Sequence, residues 1–403
     1  MPGLQGDVNK SDLWGKVVTT FISQGHDVDV LLESRHNLRE TNKAIACLGA
    51  TGINANKWRL STQLQALRHG GTPGWNRGGL GRILRLGRDL RDAQARLKES
   101  PPWDLTIAAG TIEAQGVTAL ALNKHFGTPY LLWEHFSRYQ HWGRTRWEAS
   151  PYWPLVQEVA HRAYGIFAVS PFLLEGMHSL GLIHKDHHSG VIPNPAPSTF
   201  FLPPRANVPL PASIPSGAFV FGSWTMWRDI KRLDLLLDAF ALVRQRLNAV
   251  LLVGGRTEEK WEKEARSRNL EGSVLFLGQL DRDQVLSLAH MSHACVIPSD
   301  YETFGLPAIE SLAAGRPVIT TTSGGPEWVV GDSSRGAIVP KGDSLALADA
   351  MYDVASRHGS FDRASLISDC RTRFGDETFS RLWVEAMPLD IGHPSRRQSP
   401  TSH

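Results

Sequence analysis

The stretch Ser299-Asp-Tyr-Glu302-Thr-Phe-Gly305-Leu-Pro-Ala-Ile-Glu310 decides how this chain folds. Before it runs Ala294-Cys-Val-Ile-Pro298, an apolar run with the length of a buried parallel strand. After a short polar turn with one glycine, a helix begins near Pro307, since proline has no N–H to lose in a first helical turn. Ile309, Leu312 and Ala313 share one face of that helix, Gly315 and Pro317 stop it, and Val318-Ile-Thr-Thr-Thr322 is the next strand. The turn therefore lies where a parallel strand ends and a helix starts. Open α/β sheets bind ligands at that place, and the unpaired N–H groups of the helix favour an anion.

Two carboxylates frame the turn, Glu302 on the loop and Glu310 in the helix. Both can flank one pocket, with the backbone N–H groups of Phe304, Gly305 and Leu306 between them. Such a pocket has acceptors for sugar hydroxyls on either side of a phosphate cradle. The plainer reading of either glutamate alone is a solvent-exposed loop or helix carboxylate.

The wider pattern favours the pocket. Glu302 and Glu310 enclose Phe-Gly-Leu-Pro, and Ala313-Ala-Gly-Arg-Pro-Val-Ile319 and Ser323-Gly-Gly-Pro-Glu327 follow. This run resembles the retaining glycosyltransferases of family 4, over about residues 13 to 387 and most strongly over 218 to 340. The resemblance implies an α/β fold of the GT-B type, two facing Rossmann-like doubly wound parallel-sheet domains with an interdomain cleft. It also implies transfer of a sugar from a nucleotide-sugar donor, a UDP- or GDP-sugar, to a glycan or glycolipid acceptor with retention of configuration. Glu310 would hold the nucleotide ribose and Glu302 the donor sugar hydroxyls, with Phe304, Gly305 and Leu306 as further donor contacts.

Composition bounds the alternatives. At 403 residues the chain is long enough for two or three domains. Its 41% apolar and 21% charged residues are those of an ordinary globular protein, and a net charge of +3 does not describe a nucleic-acid binder. Cys47, Cys295 and Cys370 are too few and too scattered for a disulfide frame or a zinc site, which fits a reducing cytoplasm. No long apolar run and no signal peptide is seen, so neither a membrane span nor export by that route is expected. From Lys57 to Lys98, however, ten basic residues face two acidic ones, interleaved with Trp58, Trp75 and several leucines. Such a segment can lie on an anionic membrane, at about 1 kcal/mol per basic residue, or be a solvated helix face with a loop.

In chain order, Leu13 to Ser23 reads as a helix and Val28 to Leu32 as a strand. A doubly wound domain needs a strand before that first helix. None is present, so a truncated or mis-started N-terminus is expected, with Gly3 and Gly6 as remnants of an acceptor-side loop. Strands follow at Leu105–Ala109 and Pro129–Trp133, the second delivering Glu134-His135-Phe136 to its edge. The family has a histidine at the place of His135 that contacts the transferred sugar. Gln140 to Pro154 reads as a loop or short helix over the cleft, on the acceptor side. His184, His187 and His188 sit in a loop without helical spacing, and crowded loop histidines are more often bystanders than metal ligands.

The prolines between Pro195 and Pro215 mark a linker over 196–215, between an acceptor-side domain, 1–195, and a nucleotide-sugar domain, 216–374. A last helix, 375–387, crosses back in similar proteins, and 388–403 reads as a disordered tail. Lys231, in Asp-Ile-Lys-Arg-Leu-Asp, matches the family's lysine for the donor diphosphate. Leaving-group charge grows in the transition state, and a fixed ammonium there is worth several kcal/mol. The family usually has an arginine after the glycine of this loop, but Ser223 follows Gly222 here, and Arg228 is the candidate replacement. Asp281-Arg-Asp283 resembles a metal-binding Asp-x-Asp, yet it precedes a helix where aspartate is a preferred cap, so no divalent metal or other cofactor is expected. The rival readings are a non-catalytic nucleotide-sugar binding protein and another enzyme on the same fold, an epimerase or a phosphorylase.

Overall fold

The computed structural model describes residues 104–136, 138–150, 153–204 and 214–388, with residues 16, 17, 20, 21, 23 and 24. The strand at Val28–Leu32, the N-terminal glycines, the basic segment 57–98 and the tail lie outside the described residues.

The first part is a parallel sheet of order β1-β2-β3-β4, built from Thr106–Gly110, Tyr130–Glu134, Gly165–Ala168 and His188–Val191. Every residue of β2 is buried, which is why that strand reads as an unbroken apolar run rather than an alternating one. Between the strands run α1 (Val117–Phe126), α2 (Arg138–Glu148), α3 (Trp153–His161) and α4 (Pro171–Ser179). A single π turn, Ile112–Gly116, precedes α1. Of the two readings of 140–154, a loop or a short helix, the structure has helix: most of it is α2, broken at Gly143, whose φ is 67°. Its aromatic residues form core rather than an open platform. Tyr139 stacks on Trp147 at 5.4 Å, and both are essentially unexposed.

The second part is a six-stranded parallel sheet of order β10-β9-β8-β5-β6-β7. Its strands are β5 (Phe219–Trp224), β6 (Ala249–Gly254), β7 (Val274–Gly278), β8 (Ala294–Ile297), β9 (Val318–Thr321) and β10 (Gly336–Val339). Its helices are α5 (Leu233–Arg244), α6 (Lys260–Ser267), α7 (Arg282–Met291), α8 (Leu306–Ala313), α9 (Gly325–Val330), α10 (Ser344–Ser356) and α11 (Arg363–Phe374). The strand β5 runs through Gly222 and Ser223, which the sequence reading had placed in a loop. Glycine is needed in that strand because a Cβ at 222 would overlap the Ser292 hydroxyl. Chain order reverses between β5 and β8, so from these two neighbours the chain continues towards opposite edges of the sheet. They leave a crevice at their carboxyl ends, the topological switch point where such sheets bind ligands.

The two sheets are joined by a third element. The final helix, α12 (Asp376–Ala386), leaves the second part and packs Phe379 and Trp383 against Trp133 of β2. Trp383 meets Trp133 edge-on at 5.3 Å, an arrangement worth roughly 1 kcal/mol beyond the area it buries. Lys16, near the start of the chain, pairs with Asp376 at the start of α12.

Candidate active site

The loops after β5 and β8 are stitched together at the switch point. Asp300 N donates to Ile230 O at 2.9 Å, and the Arg232 guanidinium bonds both Asp234 and Asp300. The hydrogen bonds that the guanidinium donates to Asp234, and then to Asp300, push its pKa up. Arg232 has φ 52°, a left-handed conformation that a side-chain-bearing residue adopts at a cost of roughly 1–3 kcal/mol. Its ion pairs hold the strained turn, and that turn aims the preceding residue, Lys231, across to the β8 loop.

Lys231 there forms an ion pair with Glu302, the side chains being 11% and 12% exposed. The Ser299 hydroxyl donates to the same carboxylate oxygen at 3.3 Å. Backbone pairing keeps Glu302 in place, since its N–H donates to Ser323 O at 2.9 Å and its carbonyl accepts from Gly325 N at 3.0 Å. Immediately beyond, Gly305 caps α8 with φ 85°, and a Cβ there would come 2.5 Å from Pro326 Cγ. The first N–H groups of α8 have no acceptor within the helix. They follow directly on the loop that carries Glu302, with Phe304 and Gly305 buried and Leu306 half-buried.

Glu310 sits one turn further in and is 3% exposed. Its Oε2 accepts from Trp224 Nε1 at 2.7 Å and its Oε1 from Arg282 Nη1 at 2.8 Å. Neither partner was singled out from the sequence. Arg282 opens the very helix whose start was read only as a cap. That cap is present: Asp281 accepts from Gln284 N at 2.9 Å while the Gln284 side chain accepts from Asp281 N. Among the described residues no group of three His, Cys, Asp or Glu is arranged to hold a metal ion. His184, His187 and His188 line a pocket with His161 on the first sheet instead.

The remaining candidates lie apart from this cluster. Ser223 is 2% exposed and its hydroxyl donates to Val296 O at 2.7 Å, bridging β5 and β8. Arg228 is exposed on the loop three residues before Lys231 and makes no ion pair with a described residue. His135 comes from the other sheet, just past β2, its ring 4.4 Å from that of Trp133. The adjoining Glu134 holds this corner together. Its fully buried carboxylate accepts from Ile112 N (2.8 Å), His135 N (2.9 Å), Phe136 N (2.7 Å) and the Tyr139 hydroxyl (2.9 Å). Burial pushes its pKa up to about 7 even though all four donors hold it down.

The two sheets meet directly at the site. Ser170, the N-cap of α4, accepts from Leu173 N and donates to Thr303 O at 2.5 Å, beside Glu302. Phe172 lies 5.3 Å from the Tyr301 ring, and His141 lies 5.9 Å from it on another side.

The chain resembles known proteins in sequence and in fold. Residues 214–364 match the family model described as glycosyl transferases group 1. Over 125 residues the chain is 34% identical to a glycogen synthase of Mycobacterium tuberculosis, a match covering 29% of this chain and 30% of the relative. Over 157 residues it is 32% identical to the O-antigen chain mannosyltransferase C of Escherichia coli, covering 38% of this chain and 41% of the relative. The chain thus spans well under half the length of these relatives. Among solved structures, sucrose-phosphate synthase from Thermosynechococcus elongatus superposes with a TM-score of 0.65 at 20% identity, covering 79% of this chain and 81% of the other. Anabaena HepE, crystallised with UDP and glucose, superposes with a TM-score of 0.63 at 15% identity, covering 92% and 95%. By fold this is a GT-B protein, and by sequence its residues 214–364 match the group 1 glycosyl transferases.

Proposed function

We propose that the protein is a retaining glycosyltransferase that moves a sugar from a nucleotide-sugar donor to a glycan or lipid-linked acceptor. The observation that carries this reading is the Lys231–Glu302 pair on the loop that leads into α8. A nucleoside diphosphate needs positive charge and N–H donors at its phosphates, and acceptors for its hydroxyls. Lys231 and the N–H groups of Phe304, Gly305 and Leu306 supply the first. Glu302 and Glu310 supply the second, at the donor sugar and the ribose. As the glycosidic bond breaks, charge grows on the leaving diphosphate, and Lys231 with these dipoles stabilises it without reorganisation. His135, fixed by the Glu134 hub, approaches the sugar from the opposite sheet. Attack on the same face that the diphosphate leaves, with a donor phosphate oxygen taking the acceptor proton, retains the configuration.

Support for a nucleotide-sugar donor comes also from the UDP complex of the similarly folded HepE. The aspartate of the metal-like Asp281-Arg-Asp283 is engaged as a helix cap, which favours a metal-independent reaction. We place the reaction in cell-envelope glycan assembly, on the cytoplasmic face of a membrane that the basic segment 57–98 would contact.

Labelled UDP-glucose, UDP-N-acetylglucosamine and GDP-mannose, each mixed with extracted envelope acceptors with and without EDTA, test the reading. Transfer from one donor, insensitive to EDTA and with the anomeric configuration kept, is expected. Nucleotide binding without transfer to any acceptor would favour a non-catalytic binding protein, and donor turnover without acceptor another GT-B enzyme. Vesicles with anionic lipid at low salt test the membrane contact, which fails if the protein ignores them.

A further inference from the structure

The proposed ribose acceptor, Glu310, does not stand free in its pocket. Each carboxylate oxygen accepts one strong hydrogen bond, from Trp224 Nε1 at 2.7 Å and from Arg282 Nη1 at 2.8 Å. The residues supplying these bonds are themselves held. Trp224 ends β5, is 6% exposed, and packs closely on Gly222 and Gly254: a Cβ would come 3.1 Å from its ring atom Cζ3 at 222 and 3.1 Å from its Cβ at 254. Arg282 is the first residue of α7, behind the Asp281 capping box, and its guanidinium lies 4.6 Å over the ring of Phe200. Phe200 is fully buried in the short 3-10 turn Ser198–Phe201, which follows the first sheet. Its carbonyl also meets His290 at the far end of α7, at 3.2 Å.

A carboxylate bonded once on each oxygen cannot rotate, yet each oxygen keeps a second lone pair. Those lone pairs, one on each oxygen, are then held in place together with the carboxylate. Adjacent hydroxyls on one ring, as on a ribose, present two donors for such a pair of acceptors. We infer that Arg282, with Trp224, is a positioning residue that orients Glu310 for the vicinal hydroxyls of the donor's ribose, and so sets preference for ribonucleotides over deoxynucleotides. The inference rests on the donor-site reading above and adds to it the residues that make Glu310 selective.

The test is the affinity of the full chain for UDP and for 2′,3′-dideoxy-UDP by calorimetry, with the GDP and ADP pairs alongside. The variants are Arg282→Met, which keeps a stem to pack on Phe200, Arg282→Lys, and Trp224→Phe. Wild type is expected to prefer the ribonucleotide by about tenfold or more, the scale of one well-made hydrogen bond to a charged group. In Arg282→Met and Trp224→Phe that preference collapses towards unity through loss of ribonucleotide affinity, with dideoxynucleotide affinity unchanged. Arg282→Lys restores part of it. Trp224→Phe keeps the test open should the loss of Arg282 prevent folding.

Equal loss for both nucleotides would make Arg282 and Trp224 merely structural and overturn the inference. So would an unchanged preference. Wild type that binds none of the nucleotides would instead remove the donor site itself, and this inference with it, so the two failures are told apart.

Discussion

Lys231 and Glu302 hold each other across the crevice between β5 and β8, each side chain little more than a tenth exposed. The glutamate is the lysine's counter-charge, a role for which the diphosphate of the proposed donor would compete. Removing one partner leaves the other charge buried and uncompensated, at a cost of about 3 kcal/mol or more. Lys231→Met and Glu302→Gln should each lower stability and abolish transfer, while the double variant recovers much of the stability and none of the activity. Chemical denaturation of the three variants checks the first statement and donor turnover the second. Additive losses of stability would mean that the pair is not coupled.

Ser170 joins the sheets at the site through its hydroxyl, which caps α4 and donates to Thr303 O. Asp343 caps α10 in the same way, accepting from Ala346 N, but far from the crevice. Loss of either cap should cost about 1 kcal/mol. Ser170→Ala should in addition reduce turnover several-fold, whereas Asp343→Ala should leave it intact. Equal activity in the two variants would show that the Ser170–Thr303 bond does not serve the site.

Gly324 is a second meeting point, with φ 117°. A Cβ there would overlap the Phe172 ring from the other sheet and lie 2.8 Å from Glu302 O. Gly324→Ala is expected to destabilise by roughly 2 kcal/mol or more through the backbone conformation alone, with activity falling as the β8 loop shifts. Phe172→Ala in the same chain should relieve the ring overlap and recover only part of the loss, because the carbonyl clash stays. Thermal unfolding of the single and double variants measures the recovery.

His293 gives the second sheet an acid-sensitive point. Its Nδ1 accepts from Val220 N at 2.8 Å, which requires a neutral ring on that side. Burial lowers its pKa below 6.5, and His358 and Arg316 lower it further. The unfolded chain therefore binds this proton more readily than the folded one. Stability is complete above about pH 6.5 and is lost as the pH falls below it. His293→Asn, whose side-chain oxygen can accept the same N–H, should unfold with a shallower dependence between pH 6.5 and 5, by up to ~1.4 kcal/mol per pH unit. An unchanged slope in urea unfolding across that range would assign the acid sensitivity elsewhere.

Much of this was legible locally. The strand β8, the turn at Gly305 and the start of α8 follow from an apolar run, a glycine and a proline in sequence, because backbone conformation there depends on near neighbours. The Asp281 cap was equally plain, since a cap and the N–H groups it satisfies are three residues apart. The helix α11 was missed, although Leu366, Cys370 and Phe374 lie buried along one of its faces. Three apolar positions among charged ones are a weak period, and packing against α8 supplies what propensity does not.

Residue order by itself determined the parallel α/β elements and the glycine and proline punctuation of the turn, and with the family resemblance it singled out Lys231, Glu302 and Glu310 as candidates. Tertiary structure alone decided which strands are neighbours, and hence that the loops after β5 and β8 face each other. It alone paired Lys231 with Glu302, 71 positions apart, set Trp224 and Arg282 on Glu310 from 86 and 28 positions away, and directed the Ser223 hydroxyl to Val296 between two strands. Periodicity reports which face of an element is buried, and it carries no information about which distant side chain completes a hydrogen bond there. That choice is made when the sheets form and every buried polar group must find a partner.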